Sequence, residues 1–220
     1  MPALDRDTRQ TFSRVGLAML LLLLLGETTI NYIDRQVLSI LAPVLRAEFG
    51  MSNSQYAAIV NAFLIVYAVG FGLSGFALDR LGVGRGLTVS VMWWSIADML
   101  HGFAAGPLSL GIFRSALALG EAPAWPAFAK AVALWVPERA RLLAIGICNS
   151  GSSVGAMIAA PLVAWIASRY GWRAAFVGTG LLGFVWSAAF VWFRRVHPAM
   201  QASELAVVSS PGVPWRTVLR

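Results

Sequence analysis

Six apolar runs constrain this chain more than any other feature. They cover residues 15–41, 56–78, 87–105, 108–136, 142–167 and 174–193. Each is about twenty residues or longer, enough to cross a ~30 Å hydrocarbon layer at ~1.5 Å per residue. The runs are continuous and do not alternate polar with apolar, so they predict helices rather than barrel strands. With 58% hydrophobic and 12% charged residues, an ordinary soluble domain is excluded, because its apolar surface could not be hidden. The expected class is an all-α, polytopic membrane protein with six transmembrane helices.

The formal net charge of +7 does not point to nucleic acid. The arginines sit at run ends rather than along one stripe, as expected where cationic loops stay in the cytoplasm. Arg6, Arg9, Arg14, Arg80, Arg85, Arg139, Arg141, Arg194 and Arg195 collect on one side, and Arg46, Arg169 and Arg173 on the other. That asymmetry places both ends in the cytoplasm of a multi-pass protein. The N-terminal arginines followed by "LAMLLLLLL" look like a signal peptide, but "GETTINY" offers no small-x-small cleavage site, so an uncleaved first span is expected. Cys148, the single cysteine, excludes an internal disulfide framework and a CxxC metal site, and no metal is expected. The domain reading is a cytosolic segment 1–14, a six-helix bundle 15–196 and a cytosolic linker 197–220. The linker is polar and turn-rich, and "WRTVLR" reads as the approach to a further span, hence to a second half absent from this chain.

Within the runs lie Glu27, Asp34, Arg35, Asp98, Arg114 and Glu121. A charge at mid-membrane costs at least ~2.5–3.5 kcal/mol on insertion scales, so these six are expected to face one another or a water-filled cavity. Glu27, Asn31, Asp34, Arg35 and Leu38 fall nearly on one helical stripe. Arg114 and Glu121 are two turns apart and share a face, too far along the axis to pair directly. Arg35 and Arg114 suit bidentate recognition of a carboxylate. Asp34 and Glu121, in low dielectric, suit carrying a proton whose retention depends on which arginine is near. Asp98 is expected to pair with His101 one turn away. The residue chemistry thus favours an anionic solute moved with a proton.

Four motifs then carry a resemblance. "GFALDRLGVGR", spanning 75–85, resembles the loop between the second and third helices of the major facilitator superfamily, with Gly75, Asp79, Arg80, Gly82 and Arg85 in place. "NYIDR" in the first run, Arg114 ahead of "GEAPAWPA" in the fourth, and "NSGSSVGAMIAAPL" in the fifth resemble the anion:cation symporter family, which includes bacterial hexuronate and galactonate permeases. The resemblance covers about residues 15–198 and implies the N-terminal six-helix half of a twelve-helix carrier. It implies that Arg35 and Arg114 contact the solute carboxylate and that Tyr32, Tyr67 and Ser152 line the site with hydroxyls. It implies that Asp34 and Glu121 carry the coupled proton, and that Asp79, Arg80 and Arg85 form a cytoplasmic gate. Asp79 would cap a neighbouring helix N-terminus in one state. The implied activity is secondary active symport of a sugar acid such as a hexuronate or aldonate in the bacterial inner membrane. The implied partners are the bilayer, a small carboxylate solute and a second half; the driving force is a proton gradient without any cofactor. Whether the coupling ion is H+ or Na+ stays open.

Other signals are weighed against this. "GSSVG" (151–155) fits a hydrolase elbow with Ser153 and, equally, a G-x-x-x-G packing face. An intramembrane serine protease would need His101 or His197 beside Ser153; the packing reading is preferred, and no enzyme is expected. A non-transporting scaffold or half-subunit is the third class, disfavoured because a scaffold has no use for buried carboxylates. Pro123 and Pro126 predict a kink in the fourth run, Lys130 a snorkelling cation, and Trp125 a packing residue. Trp93, Trp94, Trp135, Trp172 and Trp192 read mostly as an interfacial belt.

Overall fold

The computed structural model describes residues 13–208, all of whose regular elements are helical. Arg6, Arg9 and most of the 1–14 segment lie outside the described residues, as does 209–220. Helix α1, Arg14–Glu48, starts where the Ser13 hydroxyl accepts from the Gly16 amide at 3.0 Å. Pro43 lies inside its C-terminal part, and the helix continues past the 15–41 run to Glu48. Helix α2, Asn53–Leu81, opens with a Ser52/Gln55 capping box, which satisfies two end amides reciprocally.

The stretch read as a loop after the second span is almost all helix. Only Gly82, at φ 78°, separates α2 from α3, Val83–His101. The left-handed backbone turns the chain within one residue, which a side chain at that position would oppose. Gly171, at φ 83°, does the same between α6, Arg141–Tyr170, and α7, Trp172–Val196. The expected kink is also present. The fourth run divides into α4, Pro107–Glu121, and α5, Ala124–Trp135. Ala122 and Pro123 keep helical angles, so the break comes from prolines that have no amide to donate. A 3-10 turn, Glu138–Ala140, leads into α6. The segment read as a turn-rich linker begins instead with α8, Pro198–Val208, which buries Met200 and Glu204 against the bundle.

Among the described residues, four helical stretches are long and apolar enough to cross a bilayer: Arg14–Glu48, Asn53–Leu81, Glu138–Tyr170 and Trp172–Val196. The main packing pairs are α1 with α6, α3 with α7, and α4 with both α2 and α3. Small residues set the closest approaches. A Cβ on Gly155 of α6 would lie 2.4 Å from the Thr29 carbonyl oxygen of α1, and one on Gly151 2.8 Å from that of Leu25. The G-x-x-x-G reading of "GSSVG" therefore holds: this face lets α6 pack directly on the α1 backbone. Ser153 is exposed, whereas His101 is buried and stacked on Phe176 and the half-buried His197 packs on Phe193, so both rings are engaged by other residues.

Two apolar clusters fill the bundle. One contains Leu20, Leu24, Leu87, Trp94, Leu117, Phe128 and Phe190; the other contains Val37, Leu41, Leu45, Leu110, Val163 and Phe176. Between them runs a buried polar layer of Glu27, Asn31, Asp34, Asp98, His101, Arg114 and Glu121. Trp94 and Trp135 belong to the first cluster rather than to an interfacial belt, at 0% and 4% exposure.

Candidate functional site

The site grows out of the polar layer at mid-height of α1, whose central residue is Asn31. Arg35 reaches from α1 to α4, where its Nε donates to Glu121 Oε2 at 2.6 Å. Arg114, one face-sharing step earlier on α4, donates through an Nη to the Arg35 carbonyl at 3.1 Å. The two groups on α4 thus meet α1 separately, as their two-turn spacing requires, and the buried Glu121 holds the mostly buried Arg35 in place.

Two like-charged guanidinium groups in one place repel, and an aromatic ring lies within reach of both. The Phe63 ring centre is 5.6 Å from the Arg35 guanidinium carbon and 4.5 Å from that of Arg114. Tyr67 stacks on Phe63 and approaches Arg35 at 4.6 Å, and Tyr32 lies 5.7 Å from it. The electron-rich faces offset part of the cost of holding the two cations in a dry interior. Sequence reasoning missed Phe63; its signal was the one-turn recurrence of Phe63, Tyr67 and Phe71 along α2.

The cluster holds unspent hydrogen-bonding capacity. Among the described residues, one Nη of Arg35, Nε and the second Nη of Arg114, Glu121 Oε1 and both Asp34 oxygens are buried without a partner. Donors of two guanidinium groups and acceptors of two carboxylates are therefore available to a polar ligand or water. Below them, toward α5, Glu27, Thr28, Asn31, Ala124, Trp125 and Phe128 line a small cavity. Glu27 accepts from the Thr28 hydroxyl at 3.3 Å and has its other oxygen free. Trp125 stands edge-on to Phe128 and borders this cavity, beyond the packing role expected of it.

The remaining expected residues fall elsewhere. The Ser152 hydroxyl donates to the Asn149 carbonyl of its own helix at 2.7 Å. Asp98 accepts from Thr179 of α7 at 2.7 Å rather than pairing with His101, whose Nδ1 meets the Ala97 carbonyl instead. In the Gly75–Arg85 motif, Asp79 pairs with Lys130 of α5 and leaves helix caps alone, so Lys130 is bound rather than snorkelling. Arg80 covers the Phe76 ring at 4.0 Å. The cap of α3 comes from Glu204 of α8, whose Oε1 accepts from the Gly84 amide at 3.0 Å while Oε2 accepts from Arg194 at 3.1 Å. Burial, opposed by Arg194, the Gly84 amide and Arg85, holds the Glu204 carboxyl above the usual carboxylate range.

The sequence pattern of the Major Facilitator Superfamily matches residues 24–220. The hexuronate transporter of Escherichia coli (strain K12) is 36% identical over 183 residues, covering 83% of this chain and 42% of that protein. The hexuronate transporter of Bacillus subtilis (strain 168) is 35% identical over 206 residues, covering 91% and 48%. Among solved structures, a bacterial homolog of the human lysosomal transporter Spinster, inward-facing and unoccupied, superposes with a TM-score of 0.74 at 25% identity, covering 83% of this chain and 44% of that one. The chain spans less than half the length of these relatives.

Proposed function

The chain belongs to the Major Facilitator Superfamily, in line with its anion:cation symporter motifs, and from that premise we propose that it forms the N-terminal half of a proton-coupled sugar-acid carrier. Carriers of this kind bind solute near the midplane, between two six-helix halves. On this reading α3 and the broken α4–α5 rod join the four long helices as spans, and both ends face the cytoplasm of a bacterial inner membrane. A second half completes the site.

The observation that carries the reading is the Arg35–Glu121 contact with Arg114 beside it, buried at mid-height and short of partners. A hexuronate or aldonate carboxylate competes with Glu121 for Arg35. When the solute takes the guanidinium, Glu121 loses its counter-charge and takes a proton from the same aqueous side. Proton and anion then travel together, because a bare carboxylate in the dry site is costly. Tyr32, Tyr67 and Ser152 supply hydroxyls to the sugar, Asp34 carries a proton beside Arg114, and the Asp79–Lys130 pair with Arg80 and Arg85 closes the cytoplasmic side. A structural scaffold gains nothing from such groups, since buried ion pairs stabilise poorly against apolar packing. The relatives are transporters by name, which supports a non-enzymatic role.

The test is uptake of radiolabelled glucuronate, galacturonate and galactonate by the complete carrier in liposomes. Accumulation under an inward pH gradient, abolished by a protonophore, is expected. Uptake that follows a Na+ gradient and ignores pH would replace the proton in this scheme, and no transport of any sugar acid would reject the solute class.

A further inference from the structure

Asp98 has no place in the scheme above, yet its side chain is completely buried. Its surroundings come from three other helices. Thr179 of α7 donates to Oδ2; Arg114 and Glu121 of α4 act on it electrostatically; Asp34 of α1 feels Asp98 as its strongest charged neighbour. His101, one turn along α3, is turned to the Ala97 carbonyl and stacked on Phe176 at 4.9 Å. Asp98 Oδ1, both oxygens of Asp34, and Nε and one Nη of Arg114 all lack partners. Two independent observations bear on what this group of side chains holds.

The first is a count of charges. Arg35 is engaged by Glu121, which leaves Arg114 as the guanidinium available to both Asp34 and Asp98. Glu27, the layer's remaining carboxylate, has Arg35 and Glu121 as its charged neighbours and draws nothing from Arg114; one cation then balances one of Asp34 and Asp98, and the other has no compensation in the same dry layer. The second is the hydrogen-bond pattern at Thr179. Its hydroxyl lies 2.7 Å from Asp98 Oδ2, 3.0 Å from the Ala175 carbonyl and 3.2 Å from that of Phe176. A hydroxyl has one proton to give. With Asp98 ionised, the hydroxyl donates to the carboxylate, and the Ala175 carbonyl keeps the helical amide bond it already has. With Asp98 protonated, Asp98 donates to the Thr179 oxygen and Thr179 donates to Ala175, so the contact serves both protonation states and the carboxyl can take and release a proton in place.

We propose that Asp34 and Asp98 together hold one proton while Arg114 balances the remaining charge, and that drawing Arg114 toward an anionic solute makes the pair take up a second. The second proton comes from the aqueous side that admits the solute and leaves with it. Asp98 is thereby a proton-holding residue of the cycle, reached through Arg114, and α3 and α7 take part in coupling through Asp98 and Thr179. The inference rests on the proposed proton-coupled transport.

The test compares wild type, Asp98→Asn and Thr179→Val in the complete carrier. Asp98→Asn is expected to keep solute counterflow, which needs no net proton movement, and to lose pH-gradient-driven accumulation about tenfold, within the usual range of a coupling free energy. Its infrared spectrum is expected to lose one protonated-carboxyl band. Thr179→Val keeps the carboxyl and is expected to keep accumulation with a displaced pH profile. Wild-type accumulation and an unchanged band in Asp98→Asn overturn the proposal. Equal loss of counterflow and accumulation, or a Thr179→Val variant indistinguishable from Asp98→Asn, also overturns it by making Asp98 a structural anchor. Should Asp98→Asn fail to fold, the pH profile of Thr179→Val decides: displaced supports the proposal, unmoved rejects it. If the wild type moves no sugar acid, the transport reading has failed, and the infrared band still decides whether Asp98 holds a proton.

Discussion

Glu121 accepts from Arg35 through one oxygen and leaves the other bare, inside a layer from which solvent is excluded. Replacing it by Gln keeps the shape and removes the charge that holds Arg35. Glu121→Gln is therefore expected to exchange labelled solute across the membrane while failing to concentrate it, with accumulation down about tenfold or more, as for a lost coupling of roughly 1–3 kcal/mol. Counterflow and gradient-driven uptake measured side by side check this. Arg114→Ala removes a solute ligand as well as a counter-charge, and both activities should fall together. At this scale much of the site was legible in the sequence. Intramembrane charges are expensive enough to stand out, and helical spacing aligned Glu27 with Asp34 and Arg114 with Glu121. What was hidden is partner choice across helices. Asp98 turns to Thr179, eighty-one residues away, because side-chain direction on α3 depends on how α7 packs, which no local pattern on α3 encodes.

Helix contacts here depend on missing side chains as much as on present ones. Gly151 and Gly155 put α6 against the α1 backbone that carries Asp34 and Arg35. Gly155→Val is expected to destabilise the protein by about 1–3 kcal/mol through overpacking, read as a lowered thermal midpoint in detergent. It should also lower solute affinity, because α1 is displaced beside the site. Ser153→Ala on the exposed side of α6 is the control and should change neither. At the other end of the molecule, α8 carries Glu204 onto the N-terminus of α3. Its raised proton affinity fixes the sign of a pH effect: the contribution is fully present below the usual carboxylate range and is lost as pH rises through the raised value. Hydrogen-exchange protection of α8 should therefore fall as pH rises through that raised value, and Glu204→Gln should flatten that dependence. The 197–220 stretch looked like a linker because its turn-forming residues dominate the composition; Met200 and Glu204 order its first half only once α3 and α7 offer a surface.

Exposed apolar residues occur on both α2–α6 and α3–α7, but exposed polar residues within the apolar stretches separate the two sides. Between residues 89 and 100 of α3 and 181 and 192 of α7 every exposed position is apolar, among them Met92, Trp93, Ile96, Leu181, Val185 and Trp192. On α2 and α6 the exposed set also includes Asn61, Asn149, Ser150 and Ser153. Lipid tails cannot hydrogen-bond to an asparagine, so these positions face water or protein while the α3–α7 side faces lipid. The proposed second half and the solute path therefore belong on the α2–α6 side, where the partly exposed Tyr67 of α2 lies over Arg35. Because the single cysteine, Cys148, is buried, a Cys148→Ser background allows a direct test. Ser153→Cys in that background should react with a membrane-impermeant maleimide at a rate that slows when a sugar acid is bound, whereas Val185→Cys should react only with a lipid-soluble reagent. Equal labelling of both by the impermeant reagent would mean that the α3–α7 face is wet too, and its assignment to lipid would fall. Solute protection confined to Ser153→Cys would tie the orientation of the bundle to the anion site by an observation that owes nothing to family resemblance.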